Sequence, residues 1–81
     1  MKTVQEQSDF ALLVIGQLTT NEPTHELTKD DKGHLLEIIV AKEDMGRVIG
    51  KGGANIGALR LLTSVFARGG EQVAIKVKEP A

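Results

Sequence analysis

Cysteine is absent from the 81 residues, which excludes disulfide bonds and thiolate metal sites and indicates a reducing compartment. Long apolar runs are absent as well, because the run at residues 10–15 is far shorter than the ~20 residues of a membrane-spanning helix. The N-terminal residues are polar and soon acidic, unlike a secretion signal. We therefore expect a cytoplasmic protein with no membrane segment.

Aromatic residues are nearly absent too, since Phe10 and Phe66 are the only two. A sheet on which bases stack needs several exposed aromatic rings, so a platform of that kind is excluded. His25 and His34 lack the clustered cysteines or carboxylates of a metal site, and no nucleophile can be paired with a general base. We predict no metal, no cofactor and no enzymatic activity.

Net charge is small, but the charges are unevenly distributed along the chain. The overall value of −1 does not by itself indicate a nucleic-acid-binding protein. Residues 1–41 carry three basic and seven acidic side chains, whereas residues 42–81 carry seven basic and four acidic ones. Because local potential steers a polyanion more than net charge does, an anionic ligand is expected on the C-terminal half.

The length and residue pattern indicate one small domain that contains both helices and strands. With 41% hydrophobic residues, the chain can form one modest core. Apolar spacing, alternation and turn residues predict helices at 4–18, 43–49 and 54–68 and strands at 24–29, 34–41 and 72–78. The order αββααβ predicts an α+β fold in which helices pack on one face of a three-stranded sheet.

Three glycines and a lysine separate the last two predicted helices at residues 50–53, hereafter the glycine loop. Glycine lets the backbone approach a phosphate without a Cβ, and the start of the next helix offers free N–H groups to an anion. A Walker loop requires a hydroxyl residue where Gly52 stands, and the dinucleotide fingerprint requires glycine where Asn55 stands. Both motifs also follow a strand, whereas a helix precedes this loop. Neither motif fits.

The segment VIGKGGANI at residues 48–56 resembles the signature of the KH (K-homology) domain. The predicted element order is similar to the type II version of that fold, and the resemblance covers nearly the whole chain. The lead-in at residues 44–50 is similar to that of the small bacterial single-KH RNA-binding proteins of the KhpA group. The resemblance implies a stand-alone type II KH protein that binds single-stranded RNA.

That resemblance also implies which residues bind RNA, in a groove that holds about four nucleotides. The matching positions are Arg47, Val48, Ile49, Gly50, Lys51, Gly52, Gly53, Asn55 and Ile56. The three aliphatic residues among them would form the groove wall and the core beneath it. One departure is Gly52, which stands where a basic residue is common, so phosphate attraction depends more on Lys51 and on backbone amides. Arg60 and Arg68 fit a ligand contact and a solvated helix face equally well.

The helix predicted at 54–68 is apolar over an arc of roughly 200°, about twice what a core-facing stripe needs. It is either deeply buried or presents a protein–protein surface around Leu62, Val65 and Phe66. The resemblance implies a homodimer, or a heterodimer with a larger KH-containing RNA-binding protein. The expected role is post-transcriptional regulation or RNA chaperoning. The alternative is a protein–protein adaptor in which RNA binding is incidental.

Overall fold

The structure, a computed structural model, describes residues 1–81 and has the predicted order of elements. Three α-helices and three β-strands follow one another along the chain. They are α1 (Val4–Leu18), β1 (Thr24–Asp30), β2 (Gly33–Ile39), α2 (Lys42–Ile49), α3 (Ala54–Ala67) and β3 (Val73–Lys78). A single 3₁₀ turn, Lys51–Gly53, lies between α2 and α3. The predicted α+β class is confirmed.

The bounds of several elements differ from the predicted ones by one or two residues. Strand β2 ends at Ile39 rather than at residue 41, although Val40 is completely buried and its N–H donates to the Lys78 carbonyl at 3.0 Å. The apolar pattern continues past the strand because Val40 belongs to the core. Helix α3 ends at Ala67 because Arg68 adopts a left-handed conformation with φ 53°.

The sheet has the order β1-β2-β3, so that β2 is central and β3 is an edge strand. Strands β1 and β2 form an antiparallel hairpin, whereas β2 and β3 run parallel. A parallel pair needs a long crossover connection, which α2, the glycine loop and α3 provide. The topology therefore places the glycine loop within the crossover between the two parallel strands.

The core lies between the helices and one face of the sheet. Leu36 and Ile38 of β2 are completely buried, and their strand neighbours on the opposite face are half-buried. Helix α1 contributes Ala11 and Ile15, and its N-terminus is fixed by a reciprocal capping box between Thr3 and Glu6. The remaining core residues are Val40, Val48, Ile56, Leu59, Val73 and Ile75.

Candidate nucleic-acid interface

All three glycines of the glycine loop have positive φ angles. The values are 75° at Gly50, 64° at Gly52 and 80° at Gly53, in a region that residues with a Cβ rarely adopt. Gly50, at φ 75° and ψ 170°, lies in a region that is essentially restricted to glycine, whereas Gly52 and Gly53 lie in the left-handed region, where glycine is favoured. The turn joins α2 to α3 within four residues, and it leaves Lys51 exposed.

Gly50 is required for a second reason, which is the close approach of Asn55. A Cβ at Gly50 would lie 2.8 Å from Asn55 Cγ and 2.9 Å from Asn55 N, closer than real Cβ contacts. The Asn55 side chain fits there because its Nδ2 donates a hydrogen bond of 2.7 Å to the Arg47 carbonyl. Asn55 thus joins the first turn of α3 to the last turn of α2.

Two exposed cationic side chains belong to this region, one before the glycine loop and one within it. Arg47 and Lys51 are both exposed, and neither takes part in the ion pairs of the structure. No side chain caps the N-terminus of α3 at Gly53. The N–H groups of Gly53 and Ala54 donate within the turn, to the carbonyls of Gly50 and Lys51. The following amides at the start of α3 carry a partial positive charge close in sequence to the exposed ammonium of Lys51.

The three aliphatic positions implied by the resemblance differ in exposure. Val48 is completely buried and Ile56 is 9% exposed, so both belong to the core. Ile49 is 37% exposed and lies immediately before the glycine loop. Of the three, Ile49 offers substantial surface to a ligand, while Val48 and Ile56 fix the positions of α2 and α3.

Asp44 is a residue of this region whose role the sequence pattern did not indicate. Its buried carboxylate accepts hydrogen bonds from Thr20 N and Thr20 Oγ1 at 3.0 and 2.8 Å, and from Asn21 N at 3.1 Å. These bonds, led by that of the Thr20 amide, hold the pKa of Asp44 below its ordinary value. Asp44 therefore ties the start of α2 to the segment that follows α1.

Arg60 is exposed on α3, but its guanidinium also contacts the sheet. Its Nε and Nη2 donate to the Ile75 carbonyl at 3.3 and 3.0 Å. The guanidinium therefore joins α3 to the edge strand β3. Arg68 instead occupies the C-terminal cap of α3, where its positive φ ends the helix.

The outer face of α3 is apolar and exposed. Leu62 is 50% exposed and Val65 is 66% exposed, so the helix is not deeply buried, and Leu61 at 66% extends the same helix's exposed apolar surface. Phe66 is different, because its ring stacks on Phe10 of α1 with centroids 4.6 Å apart. Phe66 therefore supports the α1–α3 contact and offers only part of its surface to a partner.

The two histidines lie away from the glycine loop. His34 Nε2 is 3.1 Å from Glu71 Oε2, and His25 lines a shallow pocket of about 300 Å³ between α1 and β1. No group of three or more histidine or carboxylate side chains is arranged to hold a metal ion. None of the helices has the length and apolar character needed to cross a membrane.

The helix–glycine loop–helix crossover and the β1-β2-β3 sheet together define the class of protein: this is the type II KH fold. The family model described as "KhpA/KhpB, KH domain" matches residues 9–78. The chain therefore belongs to the KhpA/KhpB KH-domain family, and the resemblance seen in the sequence is confirmed.

Two curated relatives carry the name RNA-binding protein KhpA. The protein from Chlamydia caviae is 36% identical over 75 residues, which cover 88% of this chain and 95% of the relative. The protein from Thermotoga maritima is 41% identical over 49 residues, which cover 59% of this chain and 65% of the relative.

Solved structures with the same fold include Era from Aquifex aeolicus bound to GDP and AlF₄⁻. Its TM-score is 0.59 at 18% identity, and the match covers 99% of this chain and 32% of the Era chain. A structure of Era in complex with MgGDPNP and nucleotides 1506–1542 of 16S ribosomal RNA gives a TM-score of 0.55 at 19% identity. The second match covers 91% of this chain and 30% of that Era chain. This chain spans about a third of either Era chain, and the likeness concerns the fold.

Proposed function

We propose that this chain is an RNA-binding protein that holds short single-stranded RNA in a groove closed by the glycine loop. The observation that carries the proposal is the loop itself. Three glycines with positive φ angles bring the backbone, the uncapped start of α3 and the free ammonium of Lys51 to one surface. The names of the KhpA relatives and the RNA in one Era complex agree with this ligand.

In this proposal the groove extends from the glycine loop along α3 toward the free edge of β3. Its phosphate end is formed by Lys51, Arg47 and the amides at the start of α3, because these groups attract and position anions. Its apolar part contains Ile49, which supplies aliphatic surface where other RNA-binding folds use aromatic rings. The bound strand is therefore held by its backbone and by aliphatic contacts rather than by stacking on aromatics.

One groove of about four nucleotides gives modest affinity, so a second binding site in the same particle is expected. The exposed leucines and valine on α3 form the surface on which two copies meet, or on which a larger KH-containing RNA-binding protein docks. Linking two grooves raises affinity through effective concentration. The proposed role is non-catalytic and cofactor-independent, in post-transcriptional regulation or RNA chaperoning in the cytoplasm.

The same apolar face favours a second function, that of a protein–protein adaptor in which RNA binding is incidental. Leu61, Leu62 and Val65 are each at least half exposed and lie on one helix. A contiguous exposed apolar patch of this kind often marks a protein–protein interface. The two functions differ in whether the glycine loop matters for RNA.

The deciding experiment replaces Lys51 and Gly52 together by aspartate and measures binding to a short single-stranded RNA. A Cβ at Gly52 meets no atom within 4 Å, and aspartate tolerates left-handed backbone better than most residues, so the variant is expected to fold. A matched control, Lys32→Asp with Gln5→Glu, changes the net charge equally at exposed positions of the β1–β2 turn and α1. If the loop variant loses RNA binding and the control variant keeps it, the proposed RNA-binding function is supported. Equal binding by wild type and loop variant supports the adaptor.

A further inference from the structure

Arg60 is a cation on the groove side of α3 whose hydrogen-bonding capacity is only partly used. Its Nε and Nη2 donate to the Ile75 carbonyl, and no carboxylate pairs with it in the structure. By contrast, Lys76 and Lys78 of the adjacent strand both pair with Glu37. A guanidinium has five N–H donors, so Nη1 and one hydrogen of Nη2 are left for a ligand.

The carbonyl that holds Arg60 lies on the free edge of the sheet. Carbonyls of successive residues alternate between the two edges of a strand. The Lys78 carbonyl faces inward, since it accepts from Val40 N at 3.0 Å. The Ile75 carbonyl, an odd number of residues earlier, therefore faces outward, where no further strand follows β3. Arg60 thus lies across the unpaired edge of β3.

The position of Arg60 along α3 separates it from the phosphate end of the groove. Ala54 is the first residue of the helix and Arg60 follows six residues later, about 9 Å along the axis. Ile56, one turn before Arg60, is part of the core, so Arg60 lies at the margin where the helix meets the sheet edge. If the phosphates of an RNA strand contact the glycine loop, those phosphates do not reach this margin. The bases of the RNA lie there instead.

We propose that Arg60 is a specificity-determining residue that reads one nucleobase of the bound strand, an inference that rests on the proposed RNA-binding function. The Ile75 carbonyl fixes the plane of the guanidinium, and the free N–H groups present two neighbouring donors. The matching bases are those with two adjacent acceptors, which are guanine through O6 and N7 and cytosine through O2 and N3. Adenine and uracil place a donor next to each acceptor and fit less well.

The test measures wild-type affinity for short uridine oligomers that carry a single central guanine, cytosine or adenine. The expected result is binding about tenfold tighter with guanine or cytosine than with adenine or with uridine throughout. Arg60→Lys keeps the charge but lacks the planar fork, so this preference is expected to disappear while the salt dependence of binding is retained. A preference that persists in both Arg60→Lys and Arg60→Gln overturns the inference.

Two other outcomes also overturn it. Equal weakening for all bases in Arg60→Gln, with a smaller salt dependence and full recovery in Arg60→Lys, would make Arg60 a phosphate contact. A lowered melting temperature with unchanged base preference would make it only a brace between α3 and β3. If Arg60→Gln does not fold, the guanine is replaced by 7-deazaguanine in the RNA and wild type is used. About tenfold weaker binding supports the inference, and unchanged binding overturns it.

Failure of this inference can be distinguished from failure of the proposed function. If wild type binds every oligomer equally and the Lys51 and Gly52 double variant binds none, only the role of Arg60 is rejected. If the double variant binds all oligomers as wild type does, the proposed RNA groove is rejected as well.

Discussion

Asn55 on α3 donates a hydrogen bond of 2.7 Å to the carbonyl of Arg47 on α2, across the glycine loop. This bond spans the turn and links the last turn of α2 to the first turn of α3. It also explains why the chain needs glycine at position 50, because the Asn55 side chain fills the space that a Cβ would occupy. The glycine loop and the adjacent start of α3 form the proposed phosphate clamp, and its geometry therefore depends on a side chain outside the loop itself.

Replacing Asn55 by alanine is expected to loosen the loop. The loss of this exposed hydrogen bond corresponds to at most about 1 kcal/mol of unfolding free energy. The effect on RNA affinity is expected to be larger than that of the control Ser64→Ala, which alters an exposed residue later in α3. Denaturant unfolding and RNA titration measure the two quantities. If Asn55→Ala and Ser64→Ala bind RNA equally well, the hydrogen bond from Asn55 to Arg47 does not hold the loop in its RNA-binding conformation.

Glycine-to-alanine changes at two positions of the same region are expected to change the free energy of unfolding in opposite directions. Gly50→Ala combines a positive φ with a Cβ–Asn55 clash and should destabilise the fold by about 2–4 kcal/mol. Gly46→Ala lies inside α2 with nothing within 4 Å of the new Cβ, and should stabilise it by about 0.5–1 kcal/mol. Thermal or urea unfolding of both variants checks the difference. Similar stabilities would contradict the described loop geometry.

The hydrogen bonds to Asp44 predict a specific dependence of stability on pH. The folded pKa of Asp44 is lowered from the ordinary value of 3.8, chiefly by the Thr20 amide. Its contribution to stability is therefore fully present above that value and is lost as the pH falls through the folded pKa. Asp44→Asn should lower the melting temperature at neutral pH. It should also make the fall in melting temperature at acid pH, which is the acid limb of the stability curve, less steep.

The control for this prediction is Asp31→Asn, at an exposed position of the β1–β2 turn. We expect it to leave both the neutral melting temperature and the acid limb close to those of wild type. An acid limb that is as steep in Asp44→Asn as in wild type would show that Asp44 does not link α2 to the segment after α1.

The proposed association surface on α3 predicts a monomeric variant. Leu62→Asp places a charge on a half-exposed apolar position, which opposes burial in an interface but costs the monomer little. Sedimentation should detect a folded monomer, whereas the control Ser64→Asp on the same helix should sediment as wild type does. An unchanged dimer mass for Leu62→Asp would reject this surface.

The element order could be predicted from the sequence because apolar spacing or alternation is clear in α1, α3 and β3 and because glycine, proline or acidic turn residues bound the elements, although β1 alternates only weakly. The end of β2 could not, since Val40 continues the apolar pattern but is buried beyond the strand. The contacts of the candidate site were harder still. The bond from Arg60 to Ile75 depends on the parallel pairing of β2 and β3, and the bonds from Thr20 to Asp44 join segments 24 residues apart.

The most direct test of the proposed phosphate clamp is the salt dependence of single-stranded RNA binding, compared between wild type, Lys51→Ala and the control Lys32→Ala. If Lys51 contacts a phosphate, the logarithm of the wild-type association constant falls linearly with the logarithm of salt concentration. The slope should shrink by about 0.7 in Lys51→Ala and remain unchanged in Lys32→Ala. Identical slopes for all three proteins would contradict the placement of the RNA backbone at the glycine loop.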